Sequence, residues 1–378
     1  MADGWLTSEE AQARLKIRRE TLYSYVSRGM IGATPDETEP RRSRYSAADV
    51  TQLAAQKRRG RKRADVAAGA IRWGDPVLQS AISTVRGGEL IYRGRKVSDW
   101  VKRATLEDTA ALLWQSETPR TERRASAPPQ GATAKERGLA FLAKRCAGDA
   151  PSFGRTDDVL KDECWQLLFG FADALIGKRL KAPLHAGLTA AWKLPERSAP
   201  HIRRALVLLA DHELNPSTFA ARVAASTGAP LAGAALAGLA TLAGPLHGDA
   251  SARVLTQLDR ALDEGPDEAI AAMLKRGEPI HGYGHALYPA GDIRAKLLLA
   301  EIKPHASFAR YLTAASRTTG EQPNIDTALA ILVRQLGLSD EAPFILFALG
   351  RLIGWLAHAL EQRATGALIR PRANYVGD

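Results

Sequence analysis

Cysteine is nearly absent from this sequence, and aromatic residues are few. The two cysteines of the 378-residue chain, Cys146 and Cys164, stand at a spacing that matches no metal or redox motif. We therefore expect no disulfide framework and a reducing, cytoplasmic compartment. Aromatic residues make up 6% of the chain, whereas alanine and leucine are abundant, and this composition favours a mainly helical protein.

Neither a signal peptide nor a convincing membrane span is evident in the sequence. Met1–Trp5 leads into an acidic segment, whereas a signal peptide is basic and then apolar. Val223–Leu246 carries no charged residue and is long enough to cross a bilayer. Because this run is built largely of alanine and glycine and contains Pro230 and Pro245, we expect a buried helix packed through small side chains and no contact with a membrane.

The positive charge is concentrated at the start of the chain. Met1–Arg63 contains 14 Lys and Arg against 8 Asp and Glu, so +6 of the formal net charge of +11 lies in the first sixth of the sequence. This asymmetry is typical of a segment that faces nucleic acid, and it also occurs in solvated basic arms. Lys57–Arg63, the densest basic run, is open to both interpretations.

Two short helices are predicted within this basic segment. Leu6–Lys16 begins with a Thr or Ser cap and early acidic residues, and Arg19–Arg28 follows after a short break and ends before Gly29, a plausible C-terminal cap. Together with Arg44–Val50, they resemble the helix-turn-helix of the MerR-type family. The resemblance implies that DNA is contacted by Arg18, Arg19, Thr21, Tyr23 and Ser24. The alternative is a helical hairpin that serves interaction or dimerisation.

A second domain is expected after a linker at residues 64–77. Gln79–Gly94 alternates apolar and polar residues around two glycines, which predicts a β-hairpin. Residues 119–150 are rich in Arg, Ser, Pro and Gly, and we expect surface helix and loop there. Other helical patterns lie at Asp158–Gly177 and Ala199–His212.

One glycine-rich stretch carries the strongest chemical signal. Within Pro279–Ala295, His281 and His285 are interleaved with glycines, and Arg294 follows. Glycine beside histidine indicates backbone that approaches a ligand closely, and a guanidinium suits a carboxylate or phosphate. The same pattern also fits a loop with a structurally satisfied histidine. No third metal ligand is spaced nearby, so no metal is expected.

Four further motifs accompany this stretch. They are Gly-Pro-Leu-His-Gly in Ala243–Ala250, Asn-Ile-Asp in Gln322–Leu329, Gly-Arg-Leu-Ile-Gly-Trp in Gly350–Gln362, and Ile-Arg-Pro in Ile369–Gly377. Each is weak alone, but the five motifs in this order and at these spacings resemble the citrate synthase family. The resemblance covers roughly residues 78–377 and is weak in the middle.

The resemblance implies a mainly α-helical, two-domain fold and a defined reaction. Citrate synthases join the methyl carbon of acetyl-CoA to the carbonyl carbon of oxaloacetate and hydrolyse the thioester, with no permanently bound cofactor. By motif match, Asp326 is the base, His247 stabilises the enolate, and His285 donates to the oxaloacetate carbonyl. Because a carboxylate is a poor base for a carbon acid, the enolate has to be stabilised as it forms.

Oxaloacetate carries two carboxylates, so its site requires several fixed cations or donors. The substrate-binding residues that the resemblance implies are His212, Arg294, Arg351 and Arg370. In the family the last of these comes from the partner subunit of a homodimer. From the residues alone, other roles stay open: His212 also fits a helix end, Asp326 an N-cap before Thr327–Leu336, and Arg351 a helix surface.

The predicted organisation is a helix-turn-helix domain at residues 1–63, the linker, and a synthase-like domain at residues 78–378 with a small subdomain at about 220–332. Two departures from the family pattern stand out, Asp249 just after His247 and Ile293 before Arg294. Two alternative functions remain. One is 2-methylcitrate synthase acting on propionyl-CoA; the other is a DNA-binding regulator whose synthase-like domain senses a metabolite.

Overall fold

The structure, a computed structural model, describes residues 4–27, 30–36, 39, 42–51, 53–54, 78–118, 131–245, 247–248, 250–373, 375 and 377, without the side chains of residues 20, 24 and 27. The chain forms two compact units, Met1–Gln79 with Arg372–Asp378 and Ser80–Pro371. The predicted linker at 64–77, the basic run at 57–63, Gly29 and Asp249 all lie outside the described residues.

The first unit combines short helices with a small sheet. Its elements are β1 (Trp5–Leu6), α1 (Ser8–Leu15), α2 (Arg19–Ser27), β2 (Ala33–Pro35), β3 (Ser43–Ser46) and helical residues 47–51, named α3. The sheet is antiparallel in the order β1-β3-β2. Thr7 and Glu10 form a capping box at the start of α1, which confirms the predicted cap. Leu15, Leu22 and Tyr45 are buried between the helices and the sheet.

The second unit opens with the predicted hairpin. β4 (Ser83–Arg86) pairs with β5 (Glu89–Tyr92), and β5 pairs with β6 (Arg95–Lys96). The connecting Gly87 and Gly88 have φ of 58° and 76°, a left-handed conformation that favours glycine and suits a two-residue hairpin turn. The hairpin prediction is confirmed.

Helices make up the rest of this unit. They are α4 (Val97–Trp100), α5 (Leu106–Trp114), α6 (Ala134–Gly148), α7 (Asp157–Ile176), α8 (Leu184–Ala191), α9 (Ala199–Leu209), α10 (Pro216–Ser226), α11 (Leu231–Leu242), α12 (Ala250–Glu264), α13 (Pro266–Lys275), α14 (Ile293–Ile302), α15 (Ala306–Thr319), α16 (Ile325–Gln335) and α17 (Ala342–Thr365). The predicted mainly helical fold is confirmed. Within the weakly patterned residues 119–150, α6 buries Phe141 and Leu142 against the core.

The long helix α17 is the centre of the second unit. It contacts α5, α7, α9, α10 and α11. Among the described residues, it is the one helix long and apolar enough to cross a membrane, but 89% of its most apolar window is buried by the rest of the protein. It is therefore a core helix, and sequence reasoning had not singled it out.

The uncharged run Val223–Leu246 is not a single helix. It comprises the end of α10 and the whole of α11, separated by a break that contains Gly228 and Pro230. The expected close packing through small side chains is present, because a Cβ added at Gly238 would collide with the indole of Trp355.

Candidate active site

Six of the predicted site residues lie at or near helix ends, within the core helix, or in one loop. His212 follows α9, and His247 precedes α12. Arg294 and Asp326 lie in the first turns of α14 and α16. His285 lies in the connection between α13 and α14, and Arg351 lies in the middle of α17.

The glycine-rich loop is held against the segment that leads into α16. Gly282 has φ of 83° and Gly284 has φ of 73°, values that glycine adopts readily. The carbonyl of Gly282 accepts hydrogen bonds from the Thr327 hydroxyl at 2.7 Å and the Asn324 amide at 2.8 Å. A side chain at Gly282 would collide with Thr327. This close approach puts the His285 loop beside the helix that carries Asp326.

His212 and His285 are in contact with each other and with Tyr288. The two imidazole centroids are 5.0 Å apart in an edge-to-face arrangement, and the Nε2 atom of His212 lies 3.0 Å from the Tyr288 hydroxyl. Burial, followed by the positive charges of Arg294 and Arg351, holds the pKa of His212 well below its usual range. His212 is therefore a buried neutral imidazole that lies just after the end of α9.

The proton of the His285 ring is assigned by its neighbours. Its Nδ1 atom accepts from the Leu287 amide at 3.2 Å, so the proton of the neutral ring lies on Nε2. Burial, and then the charge of Arg294, lower the pKa of His285 to about 4. At neutral pH this side chain is a hydrogen-bond donor without a charge.

Arg294 is buried and already paired within its own helix turn. Its Nε and Nη2 atoms donate to the two oxygens of Asp292 at 3.0 and 2.8 Å. Although burial lowers the pKa of Arg294, Asp292 outweighs it and raises this pKa. Asp292 also accepts from the Ile325 amide at 3.0 Å, which ties α14 to α16.

Arg351, unlike Arg294, has a hydrogen-bond donor available to a ligand. It is 1% exposed, donates from Nε to the Leu209 carbonyl at 2.9 Å, and lies 5.0 Å above the Phe347 ring. Its Nη2 atom is buried and has no hydrogen-bond partner among the described residues. Burial lowers the pKa of Arg351 to about 10, so it stays charged at neutral pH. The interpretation of Arg351 as a surface residue is wrong.

His247 contacts two groups that sequence reasoning did not assign. Its ring stands edge-to-face to Phe347 at 6.2 Å, and its Nε2 atom lies 2.9 Å from the Ser217 hydroxyl. Ser217 also contacts Asn215 Oδ1 at 2.7 Å and the Trp355 indole nitrogen at 3.2 Å. Burial, and then the charge of Arg351, lower the pKa of His247 to about 4.

Asp326 lies inside the first turn of α16 and does not cap it. Asn324 is the N-cap, since its side chain accepts from the Asp326 amide, so the prediction of an Asp326 cap is wrong. The Asp326 carboxylate accepts from the Ser251 hydroxyl at 2.7 Å. Burial raises the pKa of Asp326, while Ser251 and then Arg294 oppose this shift.

A cavity of about 540 Å³ adjoins this group. Tyr283, His285, Pro289 and Glu321 are among its lining residues. A larger hollow of about 750 Å³ lies beside Trp100 and contains none of the predicted site residues. The smaller cavity is the better candidate, because it borders a neutral imidazole donor.

Some predicted residues lie apart from this group. Arg370 is exposed, on the segment after α17. In the first unit, Arg18, Arg19 and Tyr23 are exposed and Thr21 is half-buried, whereas the side chain of Ser24 lies outside the described residues. The Nε atom of Arg19 donates to the Tyr23 hydroxyl at 2.7 Å.

Within the described part of the chain, no three His, Cys, Asp or Glu side chains are grouped to hold a metal ion.

Sequence reasoning left several neighbours of the site without a role. Tyr288, Asp292 and Phe347 lie three residues after His285, two before Arg294 and four before Arg351, so helix and loop spacing could have pointed to them. Ser217 and Ser251 had no such signal, because their partners are distant in sequence.

Comparison with known proteins identifies the family of the chain. The family model for the C-terminal domain of citrate synthase matches residues 71–145 and 173–372. The citrate synthase of Haloferax volcanii is 30% identical over 355 residues, covering 80% of this chain and 94% of that protein. The 2-methylcitrate synthase of Shewanella oneidensis is 29% identical, with 80% and 93% covered. The crystal structure of citrate synthase from Thermotoga maritima superposes with a TM-score of 0.65 at 26% identity, covering 81% of this chain and 94% of that one. The chain belongs to the citrate synthase family.

Proposed function

We propose that this protein condenses acetyl-CoA with oxaloacetate and water to give citrate and CoA. The observation that carries the proposal is the grouping of neutral buried imidazoles, two buried guanidinium groups and a carboxylate around one site. Such a set can remove a proton from carbon, stabilise an enolate and bind a dicarboxylate without a metal.

Asp326 is the proposed base. Burial raises the pKa of its carboxyl, which makes the carboxylate a stronger base than an exposed one. It takes a proton from the methyl group of acetyl-CoA, and His247 donates a hydrogen bond to the enolate oxygen. Because Nε2 of His247 faces Ser217, that donation comes from Nδ1, and the Ser217 proton then points to Nε2.

His285 is the proposed donor to the ketone. Its Nε2 proton polarises the oxaloacetate carbonyl, the enolate carbon attacks the carbonyl carbon, and the new alkoxide takes this Nε2 proton. Through water, the proton that Asp326 removed from the methyl group replaces it on His285, which restores both residues. Water then hydrolyses the thioester, releasing CoA as the thiol and leaving a carboxylate in citrate.

The two carboxylates of oxaloacetate are assigned to His212, Arg294 and Arg351 in one chain and to Arg370 from a partner. The free Nη2 atom of Arg351 is suited to a carboxylate oxygen. Arg294 is already neutralised by Asp292, so one chain offers little net positive charge to a dianion. Arg370 is exposed on a segment held by a hydrogen bond from the Ile369 amide to Ser226, which supports a homodimer with shared sites.

Several finer assignments belong to the same proposal. A small subdomain at about 220–332 closes over the substrates. The protein works in the cytoplasm, and its two cysteines are free thiols. Propionyl-CoA is the alternative co-substrate, because one methylene discriminates weakly and the 2-methylcitrate synthase relative is nearly as similar as the citrate synthase relative.

The first unit is proposed to be a MerR-type helix-turn-helix domain that binds DNA. Its support is the charge of +6 in residues 1–63, together with the exposed pair Arg19 and Tyr23 on α2. A protein that binds DNA and senses oxaloacetate or acyl-CoA without turnover is the second candidate function.

The test is a steady-state assay of thiol release with oxaloacetate and acetyl-, propionyl- or butyryl-CoA. Turnover with acetyl-CoA as the best substrate is expected. Preference for propionyl-CoA would support the methylcitrate alternative. Substrate binding without thiol release would support the sensor.

A further inference from the structure

A buried polar cluster lies beside the candidate active site and has no role in the proposed chemistry. It consists of Ser83, Asp211, Arg222, His358, Glu361 and Gln362. Asp211 is fully buried, and Arg222 and His358 are each 1% exposed. Because buried ion pairs are seldom more stabilising than well-packed apolar side chains, the stability of the fold does not explain the cluster.

Hydrogen-bond donors and acceptors assign the proton on His358. Nη1 of Arg222 lies 2.9 Å from His358 Nδ1 and 2.6 Å from Glu361 Oε2. A guanidinium group can only donate, so Nδ1 of His358 accepts and carries no proton. The proton of the neutral ring is therefore on Nε2, which lies 3.3 Å from Asp211 Oδ2. Arg222 thus selects the tautomer in which His358 donates to Asp211.

Asp211 is held from several directions and immediately precedes His212. Its Oδ2 atom also accepts from the Ser83 hydroxyl. Its backbone amide and carbonyl both contact the Tyr92 hydroxyl, at 3.3 and 3.2 Å. A Cβ added at Gly354 would collide with Oδ1 of Asp211, so α17 packs directly on this carboxylate.

The same helix joins this cluster to the substrate site. Gly354 and His358 lie three and seven residues after Arg351 along α17, which places all three on one face of the helix. Nη2 of Arg351 and Oδ1 of Asp211 are both buried and have no hydrogen-bond partner among the described residues. Burial would raise the pKa of Asp211, but the hydrogen bond from His358, the charge of Arg351 and the hydrogen bond from Ser83 outweigh it and hold this pKa below its usual range. Asp211 is therefore an anion close to the cation proposed to bind substrate.

We propose that His358 is a positioning residue in the tautomer that Arg222 selects. Its hydrogen bond to Asp211 fixes His212 and Arg351 relative to one another, and the distance between these two residues sets the affinity for oxaloacetate. The inference rests on the proposed function. The charged or titratable groups around His358 are Arg222 from α10, Asp211 after α9 and Glu361 from α17 itself.

The first test is the tautomer, which needs no substrate. A two-bond ¹H–¹⁵N correlation spectrum of the full-length protein, with ¹⁵N-labelled histidine, is assigned by comparison with His358→Asn. The spectrum is expected to show a neutral ring with the proton on Nε2. A proton on Nδ1, or on both nitrogens, would overturn the inference.

The second test uses a matched pair of amides. In His358→Asn the amide stands near Nδ1 and no longer reaches Asp211, whereas in His358→Gln it stands near Nε2 and keeps a donor there. Calorimetric titration with oxaloacetate is expected to show about tenfold weaker binding for His358→Asn and less than about threefold for His358→Gln. Melting temperatures report the stability of both variants. Equal affinities of folded His358→Asn and the wild type would contradict the proposal.

The third test uses Arg222. Arg222→Met removes the donor that keeps Nδ1 of His358 unprotonated, whereas Arg222→Lys keeps a cationic donor beside it. Calorimetric titration is expected to show about fivefold weaker oxaloacetate binding for Arg222→Met than for Arg222→Lys.

Adding His358→Asn to Arg222→Met should weaken oxaloacetate binding no further, because both changes act on the same bond to Asp211. Equal affinities of folded Arg222→Met and Arg222→Lys would refute the positioning role, and this comparison also tests the proposal if His358→Asn does not fold. If the wild type neither binds nor turns over oxaloacetate, the proposed function is wrong, and the spectrum alone then decides the tautomer. If the wild type and all variants bind oxaloacetate equally, this inference alone is wrong.

Discussion

The Nε2 atom of His247 lies 2.9 Å from the hydroxyl oxygen of Ser217, and this contact controls which ring nitrogen carries a proton. Ser217 has one proton and two acceptors within reach, His247 Nε2 and Asn215 Oδ1. The Asn215 oxygen also accepts from the Thr218 amide, so it can release the Ser217 proton without losing all its partners. When that proton points to Nε2, the His247 proton is on Nδ1, the nitrogen proposed to donate to the enolate oxygen.

Replacing Ser217 with alanine should therefore reduce turnover. We expect kcat to fall by at least about tenfold, because the tautomer that donates to the enolate is no longer favoured. The KM for oxaloacetate should change little, since Ser217 is not assigned to its carboxylates. Thr218→Val, which removes a neighbouring hydroxyl that does not touch His247, is the control in the same assay. Wild-type kcat in Ser217→Ala would rule out this role.

Asp326→Asn should abolish most of the activity while leaving the fold intact. The amide has the size of the carboxylate but cannot accept a proton from carbon, and we expect kcat to fall at least about a hundredfold. Thiol release measures the loss, and circular dichroism checks the fold. Asp340→Asn, on an exposed carboxylate, serves as the control. Unchanged turnover would remove Asp326 from the mechanism.

Ser251 should set the pH at which the base becomes active. Burial raises the pKa of Asp326 and the hydrogen bond from Ser251 opposes that shift, because it stabilises the carboxylate. The base works as the carboxylate, so kcat/KM falls as the pH falls through this pKa. In Ser251→Ala the acidic limb of the profile should move to higher pH, whereas in Ser251→Thr it should stay close to that of the wild type. A limb that moves to lower pH would show that the bond does not act in this way.

Arg370 should complement a partner subunit. Arg370→Ala and His285→Ala should each be inactive alone, because each homodimer lacks one group at both sites. Mixed dimers regain one complete site if Arg370 acts in trans, so partial activity is expected after subunits exchange. Mass spectrometry of differently labelled subunits verifies the exchange. Proven exchange without recovered activity would place Arg370 in its own subunit's site or outside the mechanism.

The first unit should bind DNA through α2. In a selection from a genomic fragment library at near-physiological salt, the full-length protein should enrich a few pseudopalindromic sites, because a homodimer presents two such units. Binding should weaken steeply with salt, since phosphate contacts dominate it. Arg19→Ala and Tyr23→Ala should abolish the enrichment, whereas Arg103→Ala, an exposed arginine of the second unit, should not. Absence of binding even at low salt would favour an interaction module.

Local structure could be predicted because its signals lie within a few residues of one another. The family could be predicted from the order of the motifs. The Gly87–Gly88 turn, the capping box at Thr7 and the apolar spacing of α7 and α9 depend on residues within a few positions of one another. The same local signals misled at Asp326, because Asn324, two residues earlier, is the better N-cap.

The sequence by itself determined where most helices lie, which family the chain belongs to, and which side chains are candidates for chemistry. Only the tertiary structure decided their partners: Ser217 meets His247 across 30 positions, Ser251 meets Asp326 across 75, and Asp211 meets His358 across 147. The physical reason is that helix formation and capping act over about one turn, whereas a buried polar atom accepts whichever partner packing brings to it. Burial itself, which makes Arg351 a buried cation and α17 a core helix, is likewise a property of the packed protein.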